Sequence, residues 1–102
     1  MIFALLLAVQ SAQVAGYTPQ EQRAVVATIE CLKQHVDSVP RRERRERGDA
    51  LIEEAFSACS GQEAALRALL RSRFNEQSTE RALEIVRDTS RDGMRRYIRR
   101  SD

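Results

Sequence analysis

The chain has 102 residues, a formal net charge of +2 and an aromatic content of 5%. It therefore has room for one small domain, and it lacks both the strong basic field and the stacking side chains of a typical nucleic-acid binder. Hydrophobic residues make up 42% and charged residues 31% of the chain, which argues against disorder and favours helices around an aliphatic core. Lys33 is the only lysine among 17 basic residues, and such a bias towards arginine is typical of G+C-rich genomes.

An unbroken apolar run (IFALLLAV) occupies residues 2–9, and small and polar residues follow it up to Gly16. The run is shorter than the ~20 apolar residues that cross a bilayer, but it matches the hydrophobic region of a secretory signal. Val14 and Gly16 supply positions −3 and −1 of a cleavage site, although no basic residue precedes the run. The alternative is an ordinary N-terminal helix. We expect residues 1–16 to be a signal peptide, residues 17–102 to form a single helical domain, and the protein to be periplasmic or secreted.

The chain contains two cysteines, Cys31 and Cys59. In a small exported protein, two cysteines most simply form one structural disulfide. The loop that it closes would contribute roughly 3–4 kcal/mol by the chain-entropy estimate, which is a large part of a small domain's stability. Without export, a pair of reduced thiols would be the default. The disulfide prediction therefore depends partly on the signal-peptide prediction.

The first helix has a strong start signal in the segment Thr18-Pro19-Gln20-Glu21. Thr18 and Glu21 match the two ends of a capping box, and proline is favoured at the first helical position. Apolar residues then recur at alternating steps of four and three, which places them on one face of a helix. They are Val25, Ile29, Leu32, Val36 and Val39. This pattern predicts a helix over residues 19–38.

The next segment, residues 41–47 (RRERRER), has no apolar face and could be either a solvated helical turn or a loop. If a helix ran without interruption from 41 to 59 after a tight turn at Pro40, it would place the two cysteines roughly 15 Å apart along the helix axis. The Cα atoms of bridged cysteines lie within ~7 Å of each other. We therefore predict that residues 41–48 are mostly connection and that Asp49 caps a helix over 49–59.

Two further helices follow from the pattern. Residues 60–63 (SGQE) repeat the capping-box signature before a helix over 61–74. The apolar face of that helix is expected to carry Leu66, Leu69, Leu70 and Phe74. A fourth helix over 78–99 is expected to bury Ala82, Leu83, Ile85, Val86, Met94, Tyr97 and Ile98. Gly93 costs a helix ~1 kcal/mol relative to alanine, and the sequence leaves open whether it splits the fourth helix. The predicted fold is an all-α bundle of four helices, about 19–38, 49–59, 61–74 and 78–99, joined by one disulfide behind a signal-like segment.

Candidate chemical groups are few. Cys31 and His35 lie four residues apart on one helix and could form a thiolate–imidazole pair. Together with Cys59 they could ligate zinc or copper, given a fourth ligand and reduced thiols. A disulfide would leave no thiolate for either role. The neighbouring carboxylates at 53–54 and 80–84 lie among arginines, which favours surface ion pairs over acid–base catalysis. We therefore predict no catalytic, cofactor-binding or metal-binding residues.

The C-terminal helix ends with a cationic run that contains Arg95, Arg96, Arg99 and Arg100. Such a run can rest on an anionic membrane or bind an acidic partner. The plainer interpretation is a solvated face, because cations are favoured at the C-terminus of a helix. By elimination, the sequence predicts a non-enzymatic interaction or binding protein of the cell envelope, with another envelope protein as its partner. A metal-binding envelope protein using Cys31, His35 and Cys59, and a binder of anionic membrane surfaces, are the alternatives.

Overall fold

The structure, a computed structural model, describes residues 16–100 of the chain. These residues form four helices: α1 (Pro19–Asp37), α2 (Arg41–Ala58), α3 (Ser60–Arg71) and α4 (Glu76–Arg100). No strand occurs between Gly16 and Arg100. The prediction of an all-α bundle of four helices is confirmed. The predicted signal peptide lies outside the described residues except for Gly16.

Helix α1 begins as its sequence predicts. The Thr18 hydroxyl accepts a hydrogen bond from the Glu21 backbone N–H at 3.1 Å, and the Glu21 carboxylate accepts one from the Thr18 N–H at 3.0 Å. This reciprocal capping box satisfies two donors that the start of a helix leaves without an intrahelical partner. The helix ends at Ser38, whose backbone N–H donates to the Gln34 carbonyl at 3.1 Å. Leu32 is fully buried on its predicted apolar face.

Helix α2 corrects the prediction for the arginine-rich segment. Residues 41–47 are helical and are not a connection, and Gly48 interrupts the helix with φ +44° and ψ −118°. Arginine and glutamate are good helix formers, and Arg42 and Glu46 form the expected i,i+4 ion pair at 3.4 Å. The chain therefore changes direction at a single glycine, whereas the prediction assigned most of residues 41–48 to the connection between the helices. Glycine suits this position because residues with a Cβ rarely adopt such a backbone conformation.

The bend at Gly48 brings the two cysteines together. Cys31 and Cys59 form the predicted disulfide, with their Cα atoms 5.9 Å apart. A straight helix over 41–59 was predicted to keep the cysteines too far apart for a bridge, and this prediction agrees with the structure, in which α2 is bent. The predicted cap at Asp49 does not form in the expected way; its carboxylate instead accepts a hydrogen bond from Arg95 at 2.9 Å. Cys59 lies at the corner where α2 ends and α3 begins.

The junctions around α3 differ from the prediction in detail. Helix α3 starts without a side-chain cap, so the second capping box is absent, and Glu63 pairs with Arg87 of α4. Asn75 caps α4 by accepting a hydrogen bond from the Ser78 N–H at 2.8 Å. Helix α4 then continues through Gly93 to Arg100. Gly93 therefore does not split it.

Two clusters of buried side chains form the core. The larger one joins α1, α2 and the C-terminal half of α4, and its buried members are Leu32, Val36, Leu51, Ile52, Ala55, Cys59, Met94 and Ile98. The smaller one joins α3 and α4 through Leu66, Leu70 and Leu83, with Tyr17, Ala24, Val25, Ala82 and Val86 packed against it. Two residues predicted to be inward are exposed: Ile85 by 58% and Phe74 by 37%. Ile85 lies about 200° around the helix from Leu83, and Phe74 lies beyond the end of α3.

Among the described helices, none combines the length and the apolar character needed to cross a membrane.

Candidate functional site

The cysteine and histidine residues singled out in the sequence do not form a common reactive site. The sulfurs of Cys31 and Cys59 are bonded to each other, so neither offers a thiolate to a metal or a substrate. The His35 ring nitrogen Nε2 lies 3.2 Å from the Glu54 carboxylate, which also binds Arg47. His35 therefore belongs to a surface network of polar contacts between α1 and α2. No group of three potential metal ligands occurs within residues 16–100.

Three of the four carboxylates predicted to form surface ion pairs do so, namely Glu53, Glu54 and Glu80, whereas Glu84 has no ion pair with a described residue. Glu53 binds Arg91 through both oxygens at 2.8 and 3.2 Å, and Glu80 binds Arg67 through both oxygens at 3.1 Å. The hydrogen bond from Arg91 lowers the pKa of Glu53, and the hydrogen bond from Arg67 lowers the pKa of Glu80. A general acid needs a raised pKa. These carboxylates are therefore ionised groups that link α4 to α2 and α3.

The most distinctive surface lies where α2 begins and α4 ends. We call it the basic end and define it as residues 41–49 and 92–100. It contains nine arginines and four carboxylates, an excess of five positive charges, whereas the whole chain has a net charge of +2. The rest of the chain therefore carries a net charge of −3. The two arginine runs that the sequence separates by about 50 residues belong to one surface, because both of them border the same cleft.

The cleft opens between the two segments and has a volume of about 640 Å³. Arg45 lines it from α2, while Arg95 and Arg99 line it from α4. Its lining also includes Ile52 and Ile98, both members of the core. The remaining lining residues are Gly48, Asp49 and Asp92. The bend in α2 and the end of α4 thus create a concave surface with arginines on both walls.

Some arginines of the basic end are already paired. Arg95 donates to Asp49 across the cleft at 2.9 Å, and this hydrogen bond lowers the pKa of the Asp49 carboxyl group. Arg96 donates to Asp92 on α4 at 2.6 Å. By contrast, neither Arg99 nor Arg100 forms an ion pair with any residue between 16 and 100, and both are exposed. Within the described residues, Arg95 and Arg96 of the predicted patch are therefore paired, whereas Arg99 and Arg100 are not.

Asp37 connects α1 to both α2 and α4 at the basic end. The sequence did not indicate this role. The Tyr97 hydroxyl of α4 donates to the Asp37 carboxylate, and this hydrogen bond is the main reason that the pKa of Tyr97 is raised. Arg44 of α2 donates to the backbone carbonyls of Asp37 at 3.2 Å and Val39 at 2.6 Å. Because one residue of α1 contacts both walls, the relative position of α2 and α4 is fixed. The spacing of 37, 44 and 97 carries no local pattern that could have indicated this.

The opposite end is built around a different ion pair. Glu21 is 1% exposed, and both its oxygens accept hydrogen bonds from Arg73, at 2.6 and 2.7 Å. The hydrogen bond from Arg73 is the main reason that the pKa of Glu21 is lowered, with the Thr18 backbone N–H adding to the effect. Arg73 also donates to the Gly16 carbonyl at 2.6 Å. This arrangement connects the start of α1 to the end of α3. The charges of Glu21 and Arg73 are paired with each other within the fold.

Comparison with known proteins gives no relative for this chain: no family model, no curated protein and no solved structure matches it.

Proposed function

We propose that the protein is a small, exported, non-enzymatic interaction protein of the cell envelope, and that it binds an anionic partner through the basic end. The observation that supports this proposal is that Arg45 from one arginine run and Arg95 and Arg99 from the other line the same cleft. Arginine is the preferred residue for binding carboxylates and phosphates because its planar guanidinium donates parallel hydrogen bonds. A surface with five excess positive charges is therefore suited to an anionic ligand.

The distribution of ion pairs supports this use of the basic end. Outside the basic end the chain has seven arginines, and five of them each meet a carboxylate from another part of the fold: Arg67, Arg71, Arg73, Arg87 and Arg91. The other two, Arg23 and Arg81, are exposed and form no ion pair with a described residue. At the basic end, Arg99 and Arg100 have no such partner among the described residues. Excess charge of one sign disfavours a compact state by self-repulsion and attracts ligands of the opposite sign. The exposed arginines therefore contribute little to the stability of the fold and much to the positive electrostatic potential of the basic end.

Export is supported by the disulfide and by the apolar leader in the sequence. Structural disulfides persist in oxidising compartments and are rare in the cytosol of mesophiles. The intact mass of the protein from its native host, measured with and without reduction, tests this part of the proposal. We expect a chain that begins near Tyr17 and gains two hydrogens on reduction. A full-length chain with two alkylatable thiols would contradict export.

Binding through the basic end can be tested with two probes at low ionic strength: an oligoglutamate peptide and vesicles that contain phosphatidylglycerol. We expect the protein to bind at least one of them, and we expect Arg99→Gln/Arg100→Gln to weaken that binding. The matched control is Arg23→Gln/Arg81→Gln, which removes the same charge from exposed positions outside the basic end. Failure to bind either probe, or equal losses in the two double variants, would overturn the proposal.

A further inference from the structure

We infer that the cleft of the basic end receives an acidic segment of a protein partner, with carboxylates of that segment bound between the α2 and α4 walls. This inference rests on the proposed function and specifies its partner. It depends on the shape of the cleft, on the chemistry of its lining and on the position of the apolar side chains.

The shape favours a polypeptide segment. Arg45 stands on the α2 side, and Arg95 and Arg99 stand on the α4 side, so arginines face the cleft from two directions. A volume of about 640 Å³ falls within the ~300–1,000 Å³ range of ligand sites. The cleft is open to solvent and is not an enclosed pocket. A chain segment could enter it and continue over the exposed arginines nearby.

The lining contains three arginines and two aspartates, which leaves one excess positive charge for a carboxylate of a ligand. Arg95 already holds Asp49, with its Nε 2.9 Å from one carboxylate oxygen and its Nη2 3.5 Å from the other. This internal pair crosses the cleft from α4 to α2, and it demonstrates that a carboxylate reaches a guanidinium in this space. Arg99 lies one helical turn farther along α4 and has no carboxylate partner among the described residues. A partner's carboxylate can therefore pair with Arg99 as Asp49 pairs with Arg95.

The position of the exposed apolar side chains argues against a membrane. Peripheral helices hold to bilayers by burying apolar side chains in addition to their charge attraction. In the described chain, the large hydrophobic residues with high exposure are Phe74 and Ile85, and neither belongs to the basic end. Ile52 and Ile98 line the cleft but are 1% and 5% exposed, so they cannot insert into lipid. A lipid surface would gain only electrostatic contacts here.

Two double variants separate binding in the cleft from general attraction to the basic end. Arg45→Gln/Arg99→Gln removes one arginine from each wall. Arg42→Gln/Arg100→Gln removes the same charge from exposed positions of the basic end that do not line the cleft. Binding of a fluorescent oligoglutamate peptide is measured at several salt concentrations. We expect the cleft variant to lose about tenfold in affinity and the outer variant about twofold, since exposed charge pairs contribute modestly and one tenfold step is 1.4 kcal/mol.

A gain of affinity provides a second readout that a misfolded variant could not mimic. Asp49→Asn removes the internal competitor for Arg95 and should raise the affinity for oligoglutamate about threefold. Asp88→Asn is the matched control, because Asp88 is an exposed α4 partner of Arg91 that does not line the cleft. It should leave the affinity unchanged.

The outcomes distinguish this inference from the proposed function. Equal losses in the cleft and outer variants, or unchanged affinity in Asp49→Asn, would overturn the cleft as the site. Binding to phosphatidylglycerol vesicles without binding to oligoglutamate would overturn the acidic segment as the ligand, while the basic end would remain an anion-binding surface. Binding to neither probe would overturn both.

Discussion

The two ends of the molecule use arginine in opposite ways. At the end that contains Tyr17, one arginine is joined through both oxygens to a buried carboxylate, and the pair connects α1 to the end of α3. At the basic end, arginines outnumber the local carboxylates, and the pairs that do form leave exposed guanidinium groups beside a cleft. The number of arginines at each end therefore does not indicate their role. What separates a structural arginine from an available one is whether the fold supplies a carboxylate within reach.

The disulfide lies between the two ends, and its removal should have the largest effect on stability. We expect Cys31→Ala/Cys59→Ala to lower the free energy of unfolding by roughly 3–4 kcal/mol, because the unfolded chain is no longer constrained by the closed loop. Urea unfolding monitored by circular dichroism measures the loss. The wild-type protein in reductant should lose a similar amount. A loss confined to the variant would show that packing at the buried Cys59 position, and not the bridge, is responsible.

The bend in α2 sets the shape of the basic end, and a substitution at Gly48 tests how strongly the bend depends on glycine. Gly48→Ala should lower the free energy of unfolding by about 2 kcal/mol, because φ +44° with ψ −118° is a conformation that alanine rarely adopts. Gly93→Ala is a matched control: both glycines have open space at the Cβ position, but Gly93 is helical. It should stabilise the protein by up to about 1 kcal/mol. Losses of equal size in the two variants would show that Gly48 is not under a special backbone constraint.

The ion pair at the end opposite the cleft should be visible in the pH dependence of stability. The pKa of Glu21 is lowered in the folded state mainly by the Arg73 hydrogen bond. As the pH falls below about 4.5, the Glu21 carboxylate is protonated in the unfolded chain before it is protonated in the folded protein. The stabilising effect of Glu21 is therefore lost as the pH falls through the pKa that Glu21 has in the folded state. Glu21→Gln should lower the free energy of unfolding by about 1–2 kcal/mol at neutral pH.

The difference between wild type and Glu21→Gln should then shrink on acidification. Subtracting the two pH profiles removes the effect of the other carboxyl groups with lowered pKa values, since both proteins contain them. A difference that stays constant from neutral pH to strongly acidic pH would show that the glutamine perturbs packing and that the charge of Glu21 has no part in stability.

The smallest effects should separate paired from unpaired arginines. Arg91 pairs with Glu53 through both oxygens, and its guanidinium lies 5.1 Å from the centre of the Phe56 ring. Arg91→Gln should therefore cost about 1 kcal/mol. Arg99→Gln/Arg100→Gln should change the free energy of unfolding by no more than a few tenths of a kcal/mol. A cost for the double variant equal to that of Arg91→Gln would remove the distinction between structural and available arginines.

Local signals allowed most of the fold to be predicted. The capping box at Thr18, the apolar spacing of α1 and the pairing of Cys31 with Cys59 all depend on residue types at fixed intervals. The arginine-rich segment was predicted wrongly because hairpin geometry, which excludes an uninterrupted helix over 41–59, was taken to make 41–48 mostly connection, although a bend at one glycine satisfies the same geometry. Ile85 was placed inside because it is apolar, while its position around the helix axis places it outside.

The candidate site was harder to predict, since it depends on contacts between distant parts of the chain. The C-terminal arginine run was recognised, but its union with residues 41–47 requires the tertiary arrangement of α2 and α4. The junction at Asp37 joins residues that are 7 and 60 positions away, and no periodicity connects them. A single sequence can indicate which residues are charged and which face they share. It does not indicate which of them meet a partner across the bundle.

The place of the disulfide in the chain has a consequence for the molecule under extension. The bridge closes a loop over 28 positions, so an oxidised chain pulled from its two termini is about 90 Å shorter than a reduced one. Residues 41–47 lie inside that loop and stay confined by the bridge even when every helix has melted, whereas the arginines of residues 92–100 lie outside it. One wall of the cleft therefore remains tethered in the extended chain while the other is released. The cleft exists only when α4 has docked, so an anionic ligand that binds in it recognises the fully folded protein.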